Sequence, residues 1–205
     1  MMKDVFKVYF SHYSVVLYYA ILFIIGLQVF DSKIFIDKWY YIFILTVTPF
    51  FEWFIHKYFL HFNFKVTNKF LKDYFYKIHE GHHVYPQDKK LVFAPFTIGL
   101  LVPVGFFVLF YLFNKNINEG LWGAFITLSY YVYYEWIHLA HTDKYVPLTS
   151  FGKVLRNNHR WHHFKNENFW WGVTTVLGDK FLNTNPDPRD IKKSSSVRDI
   201  YQKTA

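Results

Sequence analysis

The sequence predicts an all-α protein: a four-helix bundle embedded in a membrane, capped on one face by a helical, histidine-rich segment. Three observations predict it. Four stretches are apolar over about the 20 residues that a helix needs to cross a bilayer. Lysine and arginine collect at one set of their ends. Ten of the eleven histidines lie near those same ends, in two matching sets.

The first apolar stretch covers residues 9–30 and the second residues 39–55, with helix expected to continue past His61. The third covers residues 91–113 and contains Pro95, Gly99, Pro103 and Gly105. Such breakers predict a kinked helix or a re-entrant pair, tolerated in lipid where neighbours satisfy the freed backbone. The fourth covers residues 121–139. If the N-terminus, residues 56–90 and residues 142–205 share one side, that side holds 20 of the 23 Lys and Arg. The opposite loops, 31–38 and 114–120, hold Lys33, Lys38 and Lys115. The excess of positive charge makes the first side cytoplasmic, in a bacterial inner membrane or the endoplasmic reticulum. The net charge of +8 then reads as membrane topology and contact with anionic lipid, not as nucleic-acid binding.

A length of 205 residues predicts one domain, over residues 1–190, with a loose polar tail at 191–205. The chain has no cysteine, which excludes disulfides, thiolate zinc sites, iron–sulfur clusters and cysteine nucleophiles. No cleavable signal peptide is expected, because the first apolar stretch is too long and lacks a small-residue cleavage motif.

The first histidine set is His56, His61, His79, His82 and His83; the second is His138, His141, His159, His162 and His163. Each ends in H-x-x-H-H, and each cluster begins 18 residues after the histidine before it, His61 to His79 and His141 to His159. Residues at i, i+3 and i+4 share a helix face, so each box can aim its imidazoles one way. His138 and His141 are likewise i, i+3. His56 and His61 are i, i+5, about 140° apart on a regular helix, and cannot point at one ion unless the helix loosens there or they flank the site from different sides. Neutral imidazole is the commonest metal ligand and suits iron, copper and zinc. Five in each set are enough for two metal ions. A surface or core role explains a single histidine well and a repeated pattern of ten poorly. His12 stands outside both sets and is expected to be no ligand.

Glu52 and Glu135 sit inside or at the edge of apolar stretches, where a carboxylate is costly and usually functional. Each precedes a histidine by three or four residues. Each is expected to accept an imidazole N–H and so fix the tautomer that leaves the other nitrogen for metal, or else to sit at the water interface. Residues 51–56, Phe-Glu-Trp-Phe-Ile-His, echo residues 134–138, Tyr-Glu-Trp-Ile-His, as in a diverged duplication.

In this order, H-x4-H, H-x-x-H-H, a later histidine pair and a second H-x-x-H-H, the chain resembles the fatty acid hydroxylase/sterol desaturase superfamily. Residues 79–95, with Pro86, Asp88, Leu91-Val92 and Pro95 after the box, resemble its fatty acid 2-hydroxylases. Residues 159–180, with Gly172-Val173-Thr174-Thr175 and Gly178-Asp179-Lys180, resemble their closing box. The likeness spans residues 51–184. The pair His138 and His141 is one residue closer than the usual H-x-x-x-H, and Lys90 stands where an Arg is common.

The resemblance implies a di-iron oxygenase held by the ten histidines, with zinc as a substitute in preparations and O2 as co-substrate. It implies O2-dependent hydroxylation of a membrane lipid, at C2 of a fatty acid or sphingolipid acyl group. Electrons would come from a separate donor, cytochrome b5-like or ferredoxin-like. No nucleic-acid partner and no particular oligomeric state are implied. The same histidine skeleton also admits a sterol, carotenoid or alkyl-lipid hydroxylase, or a desaturase. A membrane metal-binding or transport protein would need ionisable groups through the depth of several spans; here the third span has none.

Overall fold

The computed structural model describes residues 2–31, 39–62, 65–142, 145–195 and 197. Among them every regular element is a helix and there is no strand. The expected loop lysines Lys33 and Lys38, and most of the tail beyond residue 195, lie outside the described residues.

Helix α1 (Met2–Ser11) turns at His12 into α2 (Tyr13–Asp31). Helix α3 (Trp39–Phe54) runs on into a wider π-helical turn, Ile55–Leu60, that stops at His61. Helix α4 (Lys69–Phe75) is capped by Asn68, whose side chain accepts from the Leu71 N–H at 3.1 Å. It too widens into a π turn, Tyr76–Glu80, before the short α5 (Gly81–Val84) and α6 (Lys89–Val92). The long pair α7 (Phe96–Asn114) and α8 (Ile117–Thr142) forms an antiparallel hairpin. Helix α9 (Ser150–Phe164), capped by Thr149, and α10 (Leu177–Phe181) follow, with a last single turn of 3-10 helix at Pro188–Asp190.

The third apolar stretch is one helix and not a re-entrant pair. The break falls at its start, where Pro95 is extended and caps α7, and Pro103 is carried inside the continuous helix. The backbone group freed by one proline is tolerable in a helix packed along α8.

Side-chain patterning explains the packing. In α2 and α8, Tyr18, Leu128 and Val132 bury together, and the Tyr18 hydroxyl donates to the Phe96 carbonyl at 3.0 Å. Helix α1 lies across the ends of these helices through Val5 and Tyr9, which pack with Val92, Phe93 and Leu139. The Tyr9 hydroxyl donates to the Val132 carbonyl at 2.5 Å. Gly123 lets α8 approach α7 closely, for a Cβ there would come within 2.6 Å of the Phe110 ring.

Two stretches, Tyr13–Phe30 and Lys89–Asn114, are long and apolar enough to cross a membrane. Only 11% of the second is buried. Leu101, Val104, Val108 and Leu112 face outward from α7, an apolar surface larger than a water-facing helix normally shows. At the other end, the described start of the polar tail is tied down: Ser194 N–H donates to the Lys165 carbonyl at 2.8 Å, where the sequence suggests a loose end.

Candidate metal centre

Nine of the ten paired histidines come together in two adjoining groups. One group is His56, His61, His79, His83 and His162; the other is His82, His138, His159 and His163. Within each, one ring nitrogen per residue lies within 4.8 Å of all the others. The groups do not follow the two sequence sets. Each H-x-x-H-H box keeps its i, i+4 pair on one side and sends its middle histidine to the other: His162 joins the first group and His82 the second. The shared helix face expected for each box exists, but it faces the seam between the groups. There the rings of His83 and His163 stack at 4.0 Å.

Local structure explains how His56 and His61 meet. A π turn bonds i to i+5, so residues five apart move toward one face. The turn Ile55–Leu60 brings these two rings to 5.3 Å. Of the two arrangements that their spacing allows, this is the loosened helix. On α9 the inward positions are Leu155, Asn158, His159, His162 and His163, a helical period that points all three histidines into the fold. His141 sits on the regular last turns of α8. It is buried, its ring 5.7 Å from that of His159, and it lies outside both groups. No π turn serves it as one serves His61. His12 belongs to neither group and is bonded to Ser14 at 2.7 Å and stacked on Phe93 at 4.2 Å.

The tautomers can be read from acceptors. His56 Nδ1 lies 2.5 Å from the Trp171 carbonyl and His162 Nδ1 lies 2.8 Å from the Phe169 carbonyl. A carbonyl only accepts, so both Nδ1 atoms carry the proton and both Nε2 atoms are bare. Those bare atoms face other imidazole nitrogens: His56 Nε2 to His79 Nε2 at 3.0 Å, and His162 Nε2 to His61 Nε2 at 3.2 Å. His79 Nε2 also lies 2.9 Å from His83 Nε2. Several lone pairs converging in a buried space call for a cation between them. In the second group, both ring nitrogens of His82, His159 and His163 are buried with no hydrogen-bond partner in the protein. An orphaned buried polar atom costs about 1–3 kcal/mol, and coordination relieves it. Burial, and then the neighbouring imidazoles, hold His79, His82, His83, His159, His162 and His163 well below the ordinary histidine pKa. Burial brings His61 down to about 4. The rings are therefore neutral at neutral pH, the form that binds metal. An all-imidazole donor set fits iron or zinc.

Neither glutamate accepts from an imidazole. Glu52 is buried on α3 and accepts from the Val173 N–H at 2.6 Å, the Thr174 N–H at 3.0 Å, the Thr174 hydroxyl at 2.5 Å and the Tyr130 hydroxyl at 2.8 Å. It thus anchors the segment 171–174 whose Trp171 carbonyl orients His56. Glu135 accepts from the Tyr131 hydroxyl through one oxygen, and its other oxygen is buried without a partner. Asp179 anchors the same segment from the opposite side. It accepts from the Trp171 N–H at 2.9 Å, the Gly172 N–H at 2.7 Å and the Thr184 hydroxyl at 2.6 Å. Gly172 leaves no room for a side chain, since a Cβ would strike the Thr175 carbonyl. The motif around Asp179 is visible in the sequence, but its job is not, because the segment it serves is seven residues away and folds back on it.

A cavity of 420 Å³ opens beside the histidines. Its wall runs along α3, α7 and α8 and is almost wholly apolar. It touches His56 and His79 of the first group and His138 of the second. The polar groups facing it include Glu52, Glu135, Tyr130, Tyr131 and Tyr134.

Residues 40–184 match a family model described as fatty acid hydroxylase. Dihydroceramide fatty acyl 2-hydroxylase FAH1 of Arabidopsis thaliana is 29% identical over 152 residues, 73% of this chain and 61% of that protein. The fatty acid 2-hydroxylase of Mus musculus is 27% identical over 139 residues, 66% of this chain and 36% of that protein. The chain thus spans about three fifths of the length of the plant relative. Among solved structures, full-length Scs7p, in which only the hydroxylase domain is visible, shares the fold. The TM-score is 0.69 at 22% identity, over 85% of this chain and 67% of that one.

Proposed function

Because this chain belongs to the fatty acid hydroxylase family, we propose that it is an oxidoreductase that hydroxylates the acyl chain of a membrane lipid, at C2 of a fatty acid or sphingolipid acyl group. The observation that carries this reading is the meeting of two buried imidazole groups with one end of a long apolar cavity. An acyl tail lies in the cavity and its polar end lies toward the histidines, so the carbons next to the carboxyl or amide group come nearest to them. Two irons fit the two groups, held by His56, His61, His79, His83 and His162 and by His82, His138, His159 and His163, with His141 beside the second. Bound iron at such a site supplies activation of O2 toward an unactivated C–H bond, with electrons from a separate donor protein. One oxygen atom enters the C–H bond and the other leaves as water.

The chain's own groups do the positioning. Trp171 and Phe169 carbonyls orient His56 and His162, and Glu52 and Asp179 hold the segment that carries Trp171. The apolar wall excludes water from the reacting carbon. In a membrane, the outward apolar face of α7 meets lipid, and four spans place the histidine end on the cytoplasmic side, where most Lys and Arg lie. Lipid analysis of cells expressing the chain tests the reading: new 2-hydroxy acyl lipids that vanish in His82→Ala support it. New double bonds without hydroxyl groups would replace it with a desaturase.

A further inference from the structure

On the reading that the cavity holds an acyl chain, we propose that Phe110, seated on Gly123, sets the length of chain that the enzyme accepts. The cavity has a direction. Helix α3 leads into the π turn that carries His56, α8 carries its histidines toward its C-terminal end, and α7 begins at that level and runs away from it. Its lining residues therefore order from His56, Ile98 and His138 at one end to Ile44, Phe110 and Thr127 at the other, among the described residues. Eleven residues of α8 separate His138 from Thr127, roughly 16 Å at 1.5 Å per residue.

The remote end is built for a tail and not for a head group. The Thr127 hydroxyl is already given to the Gly123 carbonyl at 2.7 Å, which leaves aliphatic and aromatic surface. Phe110 stacks with Phe106 at 6.2 Å, and Phe106 meets Phe51 of α3 edge-on at 6.2 Å, so an aromatic row crosses this part of the cavity. The Phe110 ring cannot retreat toward α8. It already rests where a Cβ on residue 123 would lie, 2.6 Å from its Cδ2. Removing the ring deepens the cavity, and a methyl at residue 123 would meet the Phe110 ring at 2.6 Å and the Phe106 carbonyl oxygen at 3.0 Å, so it drives the ring toward the cavity while pressing on the α7 backbone. The two changes should act in opposite directions, and neither residue touches a histidine.

The test compares wild type, Phe110→Ala and Gly123→Ala, each supplied with the same mixture of saturated acyl lipids of graded chain length. Mass spectrometry reads the lengths of the hydroxylated products and of the lipids that stay on the purified proteins. Phe110→Ala should move both profiles toward longer chains, by about fourfold in preference for each further methylene buried, the equivalent of about 0.8 kcal/mol. Gly123→Ala should move both toward shorter chains. Profiles that superimpose on wild type in folded, metal-loaded variants would overturn the proposal. If wild type hydroxylates nothing, the hydroxylase reading fails, and the retained-lipid profiles still decide the role of Phe110. If Phe110→Ala does not fold, Phe110→Leu makes the same comparison with a smaller expected shift.

Discussion

The two histidine groups are built from the same motif and held in different ways. In the first group, α3 opens into a π turn, and backbone carbonyls fix the tautomers of His56 and His162. Two buried carboxylates, Glu52 and Asp179, anchor the segment that supplies one of those carbonyls. In the second group α8 stays a regular helix, His141 is left aside, and the ring nitrogens of His82, His159 and His163 have no partner in the protein. The first group is therefore pre-oriented by the fold, whereas the second depends on a cation for its order. Because each box sends its middle histidine across, the two groups are also tied to each other.

The largest effects should come from that exchange. His162→Ala should empty the first group and His82→Ala the second, with metal content per chain falling by about half in each and hydroxylation reduced at least 100-fold, as loss of a direct ligand exceeds the 10–100-fold typical of outer partners. Metal analysis together with a lipid assay checks this. Unchanged metal in His82→Ala would break the assignment of the second group.

Next comes the anchoring. Glu52→Gln should weaken metal binding in the first group by about 10–100-fold. It should also cost about 1–3 kcal/mol of stability, since the amide oxygen can keep the Val173 and Thr174 N–H groups but the amide NH2 cannot accept from the Thr174 and Tyr130 hydroxyls. Metal competition titration and thermal unfolding measure the two effects, and the second group should keep its affinity. Equal losses in both groups would dissolve the contrast between them.

A finer comparison is His61 against His141, the two counterparts in the sequence repeat. His61→Ala should lose more metal than His141→Ala, because only His61 is turned into a group. The smallest effect is expected from His12→Ala. It should leave metal content and activity within about twofold and lower stability by about 1 kcal/mol through the lost stack on Phe93, measurable by thermal unfolding.

Much of this site is legible in the sequence. Periodicity and the i, i+3, i+4 spacing locate the helices and the histidine faces, and the i, i+5 spacing of His56 and His61 allows either a loosened helix or ligands that flank the site from two sides. The exchange of His82 and His162 is not legible there, because spacing along one helix cannot say where a second helix stands. Glu52 stands out as costly in its apolar surroundings, but its partners at residues 173 and 174 are more than 120 residues away. Pro95 is one of four breakers in its stretch, and only packing along α8 decides which of them the helix tolerates.

Elemental analysis of the chain purified from membranes tests the two-site reading at its root. Wild type should carry two irons per chain, or two zincs where zinc has replaced them, one for each histidine group. A chain that folds with no tightly held metal, or with a single ion, would contradict it.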